Sequence, residues 1–559
     1  MTEATSIESG SAVPGEPLPD VDTGKLPLWQ LVGKIVRISN FRFRVGANII
    51  GLKVASLLFE GVGFAMLFPI MEYIGAGRDI DVLVERSGLW RKLVDYAAVV
   101  DLPVNLATMF AVSIICIFFR QIFQYLQVSY QARQIMNLNR HVQVKGFGKA
   151  LAAKLGHHDK SVSGDFINDL VAEVGAANSC IFSIIAVIGV AIQLAAYYAA
   201  LVAMSLWLSL FLLVSVCILG VILRGMMRQS RAVSQEITGL NQAFVSFLIE
   251  RMRSMRLIRL SGMEKAEVTG LDHLIGNLNE RGYTIQMINQ RIPVIFEPLT
   301  VIMVFAMMLV SIDLLGMRIE LVLMFSAAAL RTLPLMQQLV QSYQSLLSIT
   351  GSMRTIINRM HDFDHYRESD SGKQNFPGLK KSIRFEDIFY DHGVGDEAPA
   401  LNGISVEIPA GKITGLVGPS GSGKSTLIDL LPRLRDPDQG AITFDGISGN
   451  EFPLSDLRAG IGFVPQKPQT FNVSIREHIR YGNAAISDSD IKKAAHLAGA
   501  GDFIEALTKG YDTVLGESGI RLSGGPLHRV DLARALARDC SVLILDEPAR
   551  GLDADAEEQ

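Results

Sequence analysis

The sequence predicts two architectures in series: an α-helical transmembrane domain, then an α/β domain. Three observations carry that prediction. Long apolar runs gather before about residue 350 and thin out afterwards. From Ile383 onward, short strand-like runs alternate with helical runs and glycine turns. The third is Gly418-Pro-Ser-Gly-Ser-Gly-Lys-Ser-Thr426, a G-x-x-x-x-G-K-[ST] pattern. It lies between a strand-like run, Lys412–Val417, and a helix-like run, Leu427–Leu431.

The 559 residues are 49% hydrophobic and 19% charged, with mean hydropathy +0.30. A spanning helix needs about 20 largely apolar residues. Such runs lie near 46–74, 106–128, 294–315 and from Leu321 towards Ser345. The run 181–223 is long enough for two spans, with a turn near Met204–Trp207. This predicts six spans, with both termini on one side. The segments near 130–175 and 224–292 are rich in Lys and Arg. They include Arg224, Arg228, Arg231, Arg251, Arg253, Arg256 and Arg259. The positive-inside rule places these segments and both termini in the cytoplasm. A net charge of −4 without a basic stripe argues against nucleic acid. Residues 1–26 read as a disordered tail without signal-peptide features. Residues 27–350 then form the transmembrane domain with cytoplasmic helical extensions, 351–380 a linker and 381–559 the α/β domain. The four cysteines show neither metal spacing nor a disulfide framework.

The 418–426 stretch is a Walker A phosphate loop. Gly418, Gly421 and Gly423, with Ser420 and Thr426 beside them, let backbone N–H groups turn towards a polyphosphate. Lys424 adds positive charge at the β/γ-phosphates, and Ser425 offers a hydroxyl to Mg²⁺. Val542-Leu-Ile-Leu-Asp-Glu547 is an apolar strand ending in two carboxylates. Asp546 is placed to hold Mg²⁺ and Glu547 to polarise the attacking water. ATP and Mg²⁺ are the ligands this pattern predicts.

Between these motifs lies Leu522-Ser-Gly-Gly525, before a helix. It resembles the signature motif of ABC transporters, so the α/β part resembles the phosphate-loop NTPase domain of ABC type. That resemblance implies that Ser523, Gly524 and Gly525 serve the γ-phosphate bound by the opposite subunit. Phe463-Val-Pro-Gln466 resembles the Q-loop, where Gln466 would touch Mg²⁺ and water, and Gly551-Leu-Asp553 resembles the D-loop. Arg384–His392 resembles the strand leading to the adenine-stacking loop. His392 holds the usual tyrosine position, with Tyr390 two residues earlier; either ring can stack, or Tyr390 belongs to the core.

Six spans followed by one nucleotide domain resemble an exporter-type half-transporter. Segments near 156–164 and 262–268 sit where that family has coupling helices. Phe59-Glu60, Leu67-Phe-Pro-Ile70, Phe119-Arg120, Leu330–Pro334 and Ser342-Tyr343 resemble the lipid-linked oligosaccharide flippases. The resemblance implies ATP-driven movement of a lipid-linked or amphipathic substrate by alternating access. It also implies a homodimer or heterodimer in a bacterial-type inner (plasma) membrane. The alternative is a non-hydrolysing, ATP-binding subunit that regulates a partner half-transporter.

The sequence departs from the family at Pro526-Leu-His528 and Pro548-Ala-Arg550. Proline is tolerated in a helix's first turn, where its N–H is not needed. The chain stops at Gln559 with no candidate for the family's switch histidine, so the reading is of a domain truncated at its C-terminus, with apolar surface exposed. Glu60, Arg120 and Arg331 fall within or near predicted spans, where a charge costs at least ~2.5 kcal/mol. They read either as a cavity for an anionic headgroup or as an internal ion pair.

Overall fold

The computed structural model describes residues 26–75, 79–86, 88–99, 101–160, 166–167, 169–314, 319–392, 399–516, 522 and 524–548. Two compact units result. Of the described residues, one unit holds those within 26–152 and 166–365; the other holds 153–160 and those within 366–548. Of the expected features, Ser523, Asp553, residues 161–164 and the tail up to residue 25 lie outside the described residues, as do the side chains of Arg224, Arg228 and Arg231.

The first unit is helical. Its long helices are Phe43–Ala65, Leu106–Leu151, Val174–Met204, Leu206–Arg253, Glu264–Leu309 and Ile319–Ser348. Among the described residues, four stretches are long and apolar enough to cross a membrane: Phe43–Gly75, Leu106–Leu151, Asp169–Met204 and Glu264–Asp313. A 46-residue helix such as 106–151 is about 69 Å long, more than twice a hydrocarbon core. Its N-terminal part is apolar and its C-terminal part polar, so it runs well beyond the bilayer. The expected turn near 204–207 is a single residue. Ser205 is extended (φ −160°, ψ 117°), and its Oγ caps the next helix by accepting from the Leu208 N–H. The 106–151 helix starts with a reciprocal capping box between Asn105 and Thr108.

Close helix contact uses small residues, as in membranes generally. A Cβ placed on Gly63 would lie 3.4 Å from Cys116 Cβ, and Ser113 Oγ donates to the Gly63 carbonyl at 2.9 Å. The Thr350–His365 helix, inside the stretch read as a linker, is part of this unit's packing. Met353, Ile356, Ile357, Met360 and Phe363 are buried, and Arg359 Nε holds the buried Asp169 at 2.8 Å.

In the second unit, strands β1 (Ser382–Tyr390), β2 (Leu401–Pro409), β3 (Gln439–Phe444) and β4 (Ile447–Ser448) form an antiparallel sheet of order β2-β1-β3-β4. Strands β5 (Ile461–Val464) and β6 (Val542–Leu545) pair in parallel. Strands alternating with helices lead to the expectation of a largely parallel sheet; among the described residues only β5 and β6 pair in parallel. The reason is connection length: only residues 391–400 join β1 to β2, fewer than the roughly dozen that a parallel crossover needs. The Lys412–Val417 run, expected as a strand, has no ladder among the described residues, and Ile413 and Val417 stand fully exposed (103% and 97%). Its Leu416 still packs against the core of Ile383, Phe385, Leu430, Phe444, Ile461 and Ile544. A second core, with Ile475, Ile479, Ile491, Ile504, Leu527 and Val530, holds the helical part of the unit together.

The short Leu155–Lys160 helix belongs to this unit by its contacts. The Lys154 N–H donates to Tyr366 O at 2.7 Å, and Ala153 bridges Arg367. His157 stacks on Tyr366 with centroids 4.6 Å apart, and Lys154 Nζ pairs with Asp436 at 3.2 Å. Gly262 turns with φ +63°, and Met263 and Val268 after it are exposed.

Candidate functional site

The Walker A residues form a loop that opens the Lys424–Leu430 helix. Gly421 and Gly423 both have positive φ (82° and 84°), a region that costs side-chain-bearing residues energy. At Gly423 space is also decisive, because an added Cβ would meet the Ala400 carbonyl at 2.5 Å. Lys424 Nζ donates back to the Gly418 and Pro419 carbonyls, each at 2.8 Å. The ammonium is thus held over the loop it is expected to serve. Ser425 is exposed at the helix start, and Thr426 is buried.

The carboxylates converge on the same place. The parallel register sets Val464 beside Leu545, so Gln466 and Glu547 leave neighbouring strands at the same end. The ladder extends one step through Asp546 N–H to Val464 O at 3.0 Å. Burial raises the Asp546 carboxyl above its ordinary range, helped by the charges of Glu547 and Asp429 and opposed by Lys424. Three carboxylates and one ammonium therefore share one field. A divalent cation fits that field, since it would relieve the repulsion. Glu547 itself sits at φ +52°, a conformation uncommon for a residue with a Cβ. The glycine cradle, the lysine and the carboxylates together fit a nucleoside triphosphate with Mg²⁺.

The two aromatic candidates separate. His392 Nε2 lies 3.2 Å from Thr426 Oγ1, against the phosphate loop. Tyr390 Oη accepts from Arg435 Nη1 at 3.1 Å, and its ring meets His392 edge-on at 5.1 Å. Arg435, not signalled in the sequence, also pairs with Asp429 and with Asp159 of the 155–160 helix. Buried hydrogen bonds raise this guanidinium's pKa against the opposing cost of burial.

The Gly524–Leu536 helix begins at Gly524, with Gly525 buried and Pro526 in its first turn. A network missed in the sequence lies within it. Asp531, 1% exposed, accepts from Arg534 Nε at 2.7 Å and meets His478 Nε2 at 3.3 Å. Arg534 Nη2 reaches the Phe463 carbonyl at 2.8 Å, which ties this helix to the strand leading to Gln466.

In the helical unit, Glu60, Arg120 and Arg331 are brought together. Arg331 Nη2 lies 3.2 Å from Glu60 Oε1, and Arg120 Nε lies 3.5 Å from Oε2. Gln193 Nε2 also donates to Oε2 at 3.1 Å. The ion-pair reading of these charges is thus present in the geometry.

A phosphate-loop ATPase unit joined to a bundle of membrane-length helices defines an ATP-driven membrane protein. Residues 401–550 match the ABC transporter family and residues 80–332 the ABC transporter transmembrane region. The chain belongs to the ABC transporters, as an exporter-type half-transporter with both parts in one polypeptide. It is 28% identical to the heterocyst differentiation ATP-binding protein HepA of Nostoc sp., over 95% of this chain and 86% of that one. It is 29% identical to the ATP-dependent lipid A-core flippase of Photobacterium profundum (76% and 72% covered). For the flippase of Wigglesworthia glossinidia brevipalpis the figure is 31%, with 59% and 57% covered. A solved bacterial Atm1-family ABC exporter with ATP bound shares the fold: TM-score 0.72, 21% identity, 91% and 87% covered.

Proposed function

We propose that this chain is one half of a dimeric exporter of the bacterial inner membrane. It uses ATP to flip a lipid-linked or amphipathic substrate by alternating access, with its nucleotide domain and termini in the cytoplasm. The observation that carries this reading is the convergence of Lys424, Asp429, Asp546 and Glu547 in a chain with membrane-length helices. The resemblance to proteins named as lipid A-core flippases supports the lipid-type substrate.

In this reading Lys424 and the loop N–H groups hold the triphosphate, and Ser425, Gln466 and Asp546 hold the Mg²⁺ that neutralises its charge. Glu547 orients and polarises water. His392 stacks beside the adenine, while Ser523, Gly524, Gly525 and Asp553 complete the site of the opposite subunit. Hydrolysis of ATP by the purified chain in lipid discs, sensitive to vanadate and accompanied by lipid movement, is the expected result. ATP binding without turnover would favour the regulatory, non-hydrolysing subunit.

A further inference from the structure

The Glu60 cluster is unbalanced. Lys53 lies two helical turns before Glu60 on the same helix face, half-buried, with its Cγ 3.6 Å from where a Cβ on Gly189 would stand. Arg120 and Arg331 pair with the one carboxylate, and Lys53 adds a third positive charge two turns away on the same face. Among the described residues no second carboxylate pairs with Arg120 or Arg331.

The cluster lies deep. Arg120 stands 14 residues into its helix and Arg331 12 residues into its own, about 21 and 18 Å from the helix starts. An uncompensated charge at that depth costs about 2.5–3.5 kcal/mol on insertion scales. Exposure is graded as well: the Glu60 side chain is 9% exposed, Arg120 22% and Arg331 47%. The anion is buried and the cations open outward. Gln193, 5% exposed, holds Glu60 with its amide N–H, and its Oε1 has no partner among the described residues. That orphan acceptor suits a hydroxyl donor, such as P–OH or a sugar hydroxyl.

We propose that Glu60 is a resident counter-ion in a phosphate-binding site. A phosphate group displaces its carboxylate from Arg331 and takes both guanidiniums, with Lys53 completing the charge. Arginine suits this because its fork can bind phosphate through two N–H bonds. The proposal rests on the flippase reading for its substrate, and it makes a prediction of opposite signs. Removing the competing carboxylate tightens phosphate binding, and removing the guanidinium weakens it. A merely structural triad gives the same sign for both.

The test is isothermal titration of the full chain in detergent, with a non-hydrolysable ATP analogue filling the phosphate loop. The probes are dihexanoyl phosphatidic acid, dihexanoyl phosphatidylcholine and inorganic diphosphate. Glu60→Gln is expected to tighten phosphatidic acid about tenfold and Arg331→Gln to weaken it about tenfold, each about 1.4 kcal/mol. Arg331→Lys should recover only part of the loss. Lys53→Gln leaves the Glu60 pairs in place, so it guards against a Glu60 variant that does not fold; it should weaken binding roughly threefold, about 0.65 kcal/mol. Equal response to inorganic diphosphate would assign the site to free phosphate, and response to the lipid alone would assign it to a headgroup. Shifts of the same sign for Glu60→Gln and Arg331→Gln, unchanged binding in Lys53→Gln, or wild-type affinity no greater than for phosphatidylcholine would overturn the site. Opposite shifts without ATP-driven lipid movement would keep the site and reject the transport reading.

Discussion

In the nucleotide unit, Lys424 and the loop carbonyls that hold it lie within six positions of one another; in the helical unit, Glu60 and Arg331 lie 271 positions apart. The first arrangement is written in one loop. Glycines set the backbone, and the backbone sets the charges. The second exists only when helices 43–65, 106–151, 174–204 and 319–348 pack. A local motif tolerates change elsewhere in the fold, whereas a node built from four helices depends on each of their contacts.

The largest effect should come from the local side. Glu547→Gln should lower ATP turnover by about 10²–10⁴-fold while ATP affinity holds. A steady-state ATPase assay beside a binding titration checks it, and turnover at the wild-type rate removes Glu547 from catalysis.

Asp531→Ala should come next, because the nucleotide unit also has long-range nodes and this one is the more deeply buried. Truncating a buried ion pair costs about 3–5 kcal/mol, read as a lower melting transition of the full chain. The same group gives a pH sign. Burial pushes the Asp531 carboxyl up, but hydrogen bonds from His478 and Arg534, with their charges, hold it below its ordinary range. Its stabilisation is present above the ordinary carboxylate range and is lost as pH falls through the lowered value. Melting curves between neutral and acid pH should lose part of their slope in Asp531→Asn.

Lys424→Ala should weaken ATP binding by about 3 kcal/mol, roughly 100-fold, without shifting the melting transition. Equal ATP affinity in wild type and variant would remove the phosphate-loop assignment. Gly63→Leu tests the opposite kind of residue. It should separate helices 43–65 and 106–151 at Cys116, costing about 1–3 kcal/mol of thermal stability while ATP binding persists. The smallest effect belongs to the rings. His392→Ala should weaken ATP binding by about 0.5–1.5 kcal/mol, and Tyr390→Phe should leave it unchanged. The reverse ranking would give the stacking role to Tyr390.

Sequence and structure agree where chemistry is local. The phosphate loop, the carboxylates after β6 and the long helices were all legible, because spacing alone specifies them. The Lys412–Val417 run reads as a strand by composition, yet a strand needs a hydrogen-bonded neighbour, and composition does not supply one. Arg435 and Asp531 sit in ordinary helical and loop patterns, and only tertiary contact makes them hubs. Lys53 and Gln193 carried a usable signal: a cation and an amide inside apolar runs.

The 155–160 helix carries a consequence for synthesis. Its partner Arg435 comes 276 positions later than Asp159. At roughly 5–20 residues per second, about 15–55 s pass between the appearance of the two. During that interval Asp159 lacks its native partner, while the helices between them are being made and placed. Arg435 and Asp436, which receive this short helix, are made well after the helix itself, so its native docking waits on that part of the nucleotide unit.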